Sequence, residues 1–154
     1  MSLARAGALA AGALKLVASL LLFAMMAVTF VDVVGRYFFG RALNGAYEVT
    51  EVLLALVVFA GLPLVTWRRE HVTVDLLTSR LPALPRGLLA RVAAVATATV
   101  LGLLAWRLGI MARDLSGYGD ATVYLGIPLG PVAAVMAALA AAGAVVAAVR
   151  VVRP

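Results

Sequence analysis

The sequence predicts an all-α integral membrane protein: four transmembrane helices, with a short interfacial helix between the second and third. Three observations carry this. Hydrophobic residues make up 65% of the 154 residues and charged residues only 13%, whereas an ordinary soluble domain is roughly 45–50% apolar. Uncharged runs recur at 16–31, 52–67, 92–106 and 121–149, separated by short charged or turn-forming stretches. Basic residues crowd into alternate connections, as they do in chains that cross a membrane repeatedly. The whole chain, residues 1–154, reads as one membrane domain.

The first three runs are shorter than the roughly 20 residues a helix needs to cross about 30 Å of hydrocarbon. They gain length from their flanks. Lys15, Arg91 and Arg107 can lay their methylenes along lipid and lift the charge to the interface. The spans therefore fall near 13–35, 47–68, 88–111 and 127–149. The first apolar stretch resembles a signal peptide, but it runs into Asp32 and Arg36 without a small-residue cleavage site, so it reads as a retained helix. Between the second and third spans, Val74, Leu77 and Leu81 can share one face of a short helix lying along the interface. Pro128 and Pro131 stand near the start of the fourth span, where a missing backbone donor is tolerated.

Charge placement gives these helices a direction. One side would hold both termini and the connection after the second helix. It carries Arg5, Lys15, Arg68, Arg69, Arg80, Arg86, Arg91, Arg150 and Arg153, nine of the thirteen basic residues. The other side has Arg36, Arg41, Arg107 and Arg113 among Asp32, Glu48, Glu51, Asp114 and Asp120. Both termini are thus expected in the cytoplasm. The net charge of +6 is explained by this topology, and no nucleic-acid partner is expected. Tyr37, Phe38, Phe39, Tyr47, Trp67 and Trp106 fall near the expected interfaces, where aromatic rings favour the headgroup layer.

Small residues suggest how the helices associate. Ala90, Ala94, Ala98 and Gly102 recur every four residues in the third helix, and Ala133, Ala137, Ala141 and Ala148 more loosely in the fourth. Such stripes let backbones approach closely and predict a compact bundle.

Charged residues near the membrane are the functional candidates, because intramembrane charge is costly. Asp32 and Arg36 are four apart and can pair along the first helix; Glu48 and Glu51 are three apart at the start of the second. Acidic groups also suit a helix N-terminus. There is no cysteine, so thiolate metal sites and cysteine nucleophiles are excluded. His71 is the sole histidine, which excludes bis-histidine haem, and Asp75 can cap the short helix nearby. No catalytic constellation, phosphate-binding glycine loop, cofactor site or metal site is expected in this chain.

Three segments together resemble a known family: Asp32-Val-Val-Gly-Arg36-Tyr-Phe-Phe-Gly40, Ala46-Tyr47-Glu48, and Arg69-Glu70-His71-Val72-Thr73-Val74-Asp75. Thr122-Val-Tyr-Leu-Gly-Ile-Pro128 adds a fourth, weaker match. The resemblance is to the small membrane subunit, DctQ-type, of tripartite ATP-independent periplasmic (TRAP) transporters. Tyr47 stands where that family often has tryptophan or threonine, and Arg69 where it has glycine. The resemblance implies a secondary transporter of the bacterial inner membrane. Its large permease subunit would bind sodium and substrate, and a periplasmic binding protein would deliver a carboxylate. The small subunit would act as scaffold, contacting membrane lipid, the permease and the binding protein. It further implies that Arg36 and Glu48 order the outer ends of the first two helices, through a mutual salt bridge. Arg69, His71 and Asp75 fall in the cytoplasmic turn, and His71 and Asp75 would order it. Two other readings of the residues stay open: a self-sufficient homodimeric exporter using Glu51 or Asp32 as a proton-coupled site, and a membrane anchor for an enzyme complex.

Overall fold

A computed structural model describes residues 3–68 and 83–152 of the chain. Among the described residues four helices follow one another: α1 Leu3–Phe38, α2 Ala46–Arg68, α3 Ala83–Tyr118 and α4 Leu129–Val152. Each contains a segment long and apolar enough to cross a membrane: Leu9–Phe38, Ala46–Trp67, Arg91–Tyr118 and Leu129–Val149. The expected interfacial helix lies outside the described residues, as do Arg69, His71 and Asp75.

α1 and α3, at 36 residues each, are about 54 Å long and overrun the hydrocarbon. They extend well past the expected spans of 13–35 and 88–111, since a helix continues through charged residues once it has left the lipid. α2 and α4, at 23 and 24 residues, are about 35 Å long and little more than membrane-thick.

The helices form an open row in the order α1, α2, α4, α3. α1 packs on α2, α2 on α4, and α4 on α3; among the described residues no other pair of helices is in contact. This corrects the expectation of a compact bundle. The outer members of the row each have a single neighbour, so their apolar surface stays uncovered; Phe23, Phe30, Val100 and Trp106 are all largely exposed. In water such a surface would be untenable. In a bilayer it is the surface that lipid or a membrane partner covers.

What little is buried is mostly alanine: Ala60 on α2, Ala112 on α3, and Ala133, Ala140 and Ala147 on α4, joined by Leu101. Small side chains bring the backbones together, and dispersion contacts along the seam replace the missing hydrophobic drive between helices. The seam of α4 is not the expected four-residue stripe, because Ala141 and Ala148 face outward. A four-residue step drifts about 40° around an α-helix, whereas seven residues return to within about 20°. The three buried alanines accordingly recur every seven.

Gly143 of α4 sits where three helices meet. A Cβ there would lie 3.1 Å from Leu101 Cδ1 of α3, 3.5 Å from the Pro63 nitrogen and 3.7 Å from the Leu62 carbonyl carbon of α2. Pro63 lies inside α2 and has no N–H to donate, so close packing at this point displaces no hydrogen bond of its own nitrogen. At the end of the row that holds the N-terminus, Trp67 packs its ring over Gly7 and ties α1 to α2.

Candidate functional site

The connections between α1 and α2 (39–45) and between α3 and α4 (119–128) lie together at one end of the row, the hairpin end. A carboxylate organises each of them.

Glycines shape both connections. Gly40 and Gly119 follow α1 and α3 with φ of 63° and 70°, the left-handed conformation that commonly ends a helix. After α3 the Asp120 N–H donates to the Leu115 carbonyl at 3.0 Å, the six-residue closure of a Schellman motif. The 119–128 connection then folds back on itself. Thr122 N–H donates to the Ile127 carbonyl, and Leu129 N–H to the Asp120 carbonyl, both at 3.0 Å. Ile127 N–H donates to Thr122 Oγ1, also at 3.0 Å.

Glu48 reaches this loop from α2. It stands in the first turn, where the exposed N–H groups of the helix favour a negative charge. Its side chain extends away from its own helix: Oε1 accepts the Tyr124 N–H at 2.8 Å and Oε2 the Leu125 N–H at 3.0 Å. Each carboxylate oxygen thus holds one of two consecutive backbone donors, and Glu48 is buried in doing so. The Leu125 side chain meanwhile rests on Gly45, where an added Cβ would come within 2.6 Å of Leu125 Cγ. Gly45 also has φ of 84°, so two constraints select glycine there. Leu125 is therefore held by its backbone at Glu48 of α2 and by its side chain at Gly45, just before that helix.

Asp32 performs the parallel task on the first connection. Its Oδ2 accepts from Arg36 Nη2 at 2.8 Å, one turn along α1, and its Oδ1 accepts the Leu43 N–H at 2.8 Å. The pairing of Asp32 with Arg36 along one helix is the one the four-residue spacing predicts. The salt bridge expected between Arg36 and Glu48 is not formed. Arg36 is matched by its neighbour one turn back, and both Glu48 oxygens are taken by loop amides.

Removing Asp32 or Arg36 should have unequal effects. The Asp32 side chain is 16% exposed and that of Arg36 63%. Asp32→Ala deprives the Leu43 amide of its acceptor, whereas Arg36→Ala removes only a solvent-screened partner. Amide exchange across 39–45 should rise about tenfold in D32A and less than about threefold in R36A. Equal effects would show that the ion pair, and not the capped amide, orders the connection.

Glu51, the other acidic candidate on α2, is exposed three residues further along. The loop amides that engage Glu48 escape a reading of the sequence because backbone donors carry no residue type. The available signal was a glutamate in a helix's first turn and a glycine-bounded loop far along the chain. Among the described residues no three His, Asp or Glu side chains converge as metal ligands. With both Asp32 oxygens and both Glu48 oxygens engaged, these carboxylates fasten the 39–45 connection to α1 and the 119–128 connection to α2.

No curated protein matches the chain. The sequence profile described as "Tripartite ATP-independent periplasmic transporters, DctQ component" matches residues 25–154, from the last turns of α1 through both carboxylate-ordered connections and α4. The chain is thus a multi-pass membrane component of a transport system and belongs to the DctQ family of small TRAP transporter subunits.

Proposed function

We propose that this chain is the fixed frame of a sodium-coupled organic-acid transporter of the bacterial inner membrane. It holds a large permease subunit that carries the ion and substrate sites, and its hairpin end helps seat a periplasmic binding protein. The observation that carries this reading is the open row itself: four helices whose broad apolar faces have no covering among the described residues. Membership of the DctQ family supports a large permease as that cover. The basic residues at the termini favour a cytoplasmic location for that end of the row and a periplasmic one for the hairpin end.

Reconstitution tests the proposal. Proteoliposomes containing this chain and the large permease, supplied with the binding protein and an inward sodium gradient, should accumulate one of a panel of radiolabelled dicarboxylates, 2-keto acids or sialic acid. Omitting this chain should reduce uptake to background, and the chain alone should transport nothing. Proton-driven transport by the chain alone would overturn the reading in favour of a self-sufficient exporter. Full uptake without it would remove the scaffold role.

A further inference from the structure

α2 has little freedom to slide in the membrane. Its apolar span, Ala46–Trp67, is 22 residues, about 33 Å against about 30 Å of hydrocarbon. Trp67 at the far end is seated on Gly7 of α1. Glu51 is five residues in from Ala46, roughly 7.5 Å along the axis, and so falls inside the apolar span. A short carboxylate cannot climb to the interface as the long stems of lysine and arginine do.

The Glu51 side chain is nonetheless on the protein surface and has no hydrogen bond or ion pair among the described residues. Among the described residues the cations at the hairpin end do not supply one. Arg36 is held by Asp32, Arg41 lies in the 39–45 connection outside the helices, and Arg107 and Arg113 belong to α3, separated from α2 by α4. An unpaired carboxylate against lipid is strongly unfavourable. The donor that Glu51 calls for is therefore not among the described residues.

The surroundings of Glu51 describe the shape of that donor. Tyr47 precedes it by four residues, and Leu54 and Val58 follow it by three and seven, on the same side of the helix. Their exposures are 80%, 51% and 54%. This is an apolar ridge with one charge in it, matching a helix that offers an apolar face and a single cation.

We propose that the Tyr47–Glu51–Leu54–Val58 ridge of α2 is the docking face for a transmembrane helix of the partner permease. That helix brings a lysine or arginine to Glu51 in the leaflet nearer the hairpin end. The inference rests on the small-subunit reading above and adds the face and the chemistry of the contact.

The test co-expresses the full chain with its large permease and incorporates a photo-crosslinking amino acid at Leu54 or Val58. Crosslinks from both positions should reach one helix of the permease. Glu51→Gln should lower the amount of copurifying permease at least about tenfold, and Glu51→Lys should abolish it. Exchanging the crosslinked helix's cation for glutamate should restore assembly with the Glu51→Lys chain. The thermal midpoint of the isolated Glu51→Gln chain in detergent should match that of the unaltered chain, because Glu51 has no partner among the described residues. Crosslinking to lipid or to a second copy of this chain overturns the proposal, as does undiminished copurification with Glu51→Gln. If the unaltered chain copurifies no permease at all, the small-subunit reading itself fails.

Discussion

Gly143→Leu is expected to split the row of helices. Among the described residues α4 alone is in contact with both α2 and α3, and Gly143 is the point where the three meet. The first atom of a new side chain meets the Leu101 methyl at 3.1 Å, a contact that a rotation of Leu101 relieves. The backbone of α2 at Leu62 and Pro63, only 3.5–3.7 Å from that Cβ, cannot yield in the same way. Alanine should therefore be nearly neutral, its small crowding offset by better helix propensity. Leucine should cost about 1–3 kcal/mol by overpacking and separate α1 and α2 from α3 and α4. Thermal unfolding in detergent, followed by near-ultraviolet circular dichroism, reads the difference between the two variants. A leucine variant as stable as the parent would mean that the helices do not approach closely at this position.

Glu48→Ala is expected to release the 119–128 connection while leaving the four helices formed. The Tyr124 and Leu125 amides lose the oxygens that accept them at 2.8 and 3.0 Å, and no other acceptor within the loop replaces the carboxylate. Hydrogen exchange at these two amides should rise about tenfold, with exchange in the middle of α4 unchanged. Glu48→Gln should fall between the two: its carbonyl oxygen can still accept one amide, but its NH2 group then faces the other donor. Unaltered exchange in the alanine variant would show that the closures within the loop, at Thr122 and Asp120, suffice to hold it.

Four apolar runs were legible because a membrane-crossing helix is the element that calls for an uncharged stretch of that length. The helix ends were less so. Lys15 and Arg91 bound the apolar runs, yet α1 and α3 pass through both, since charge ends the lipid-facing segment and not the helix. Packing order was hidden for a different reason. In a chain so rich in alanine, four-residue and seven-residue repeats coexist, and only the observed seam at Ala133, Ala140 and Ala147 tells them apart.

The candidate site divides along the same line. Asp32 with Arg36 is a contact between side chains one turn apart, which spacing alone anticipates. Glu48 with Tyr124 and Leu125 joins residues more than 70 positions apart through backbone donors. Family resemblance marked Glu48 and Arg36 as important but paired them with each other; the fold assigns each to a different connection. The family profile spans both connections, in keeping with a shared need for an ordered hairpin end.

As the proposed frame, this chain is expected to stay rigid while its partner moves. Pulsed electron paramagnetic resonance tests it directly, with spin labels on Arg41 and Val123, one in each connection, in the assembled transporter. A fixed frame predicts a single narrow distance distribution, the same without sodium, with sodium, and with substrate and binding protein present. A second population or a shifted mean appearing with sodium or substrate would contradict it.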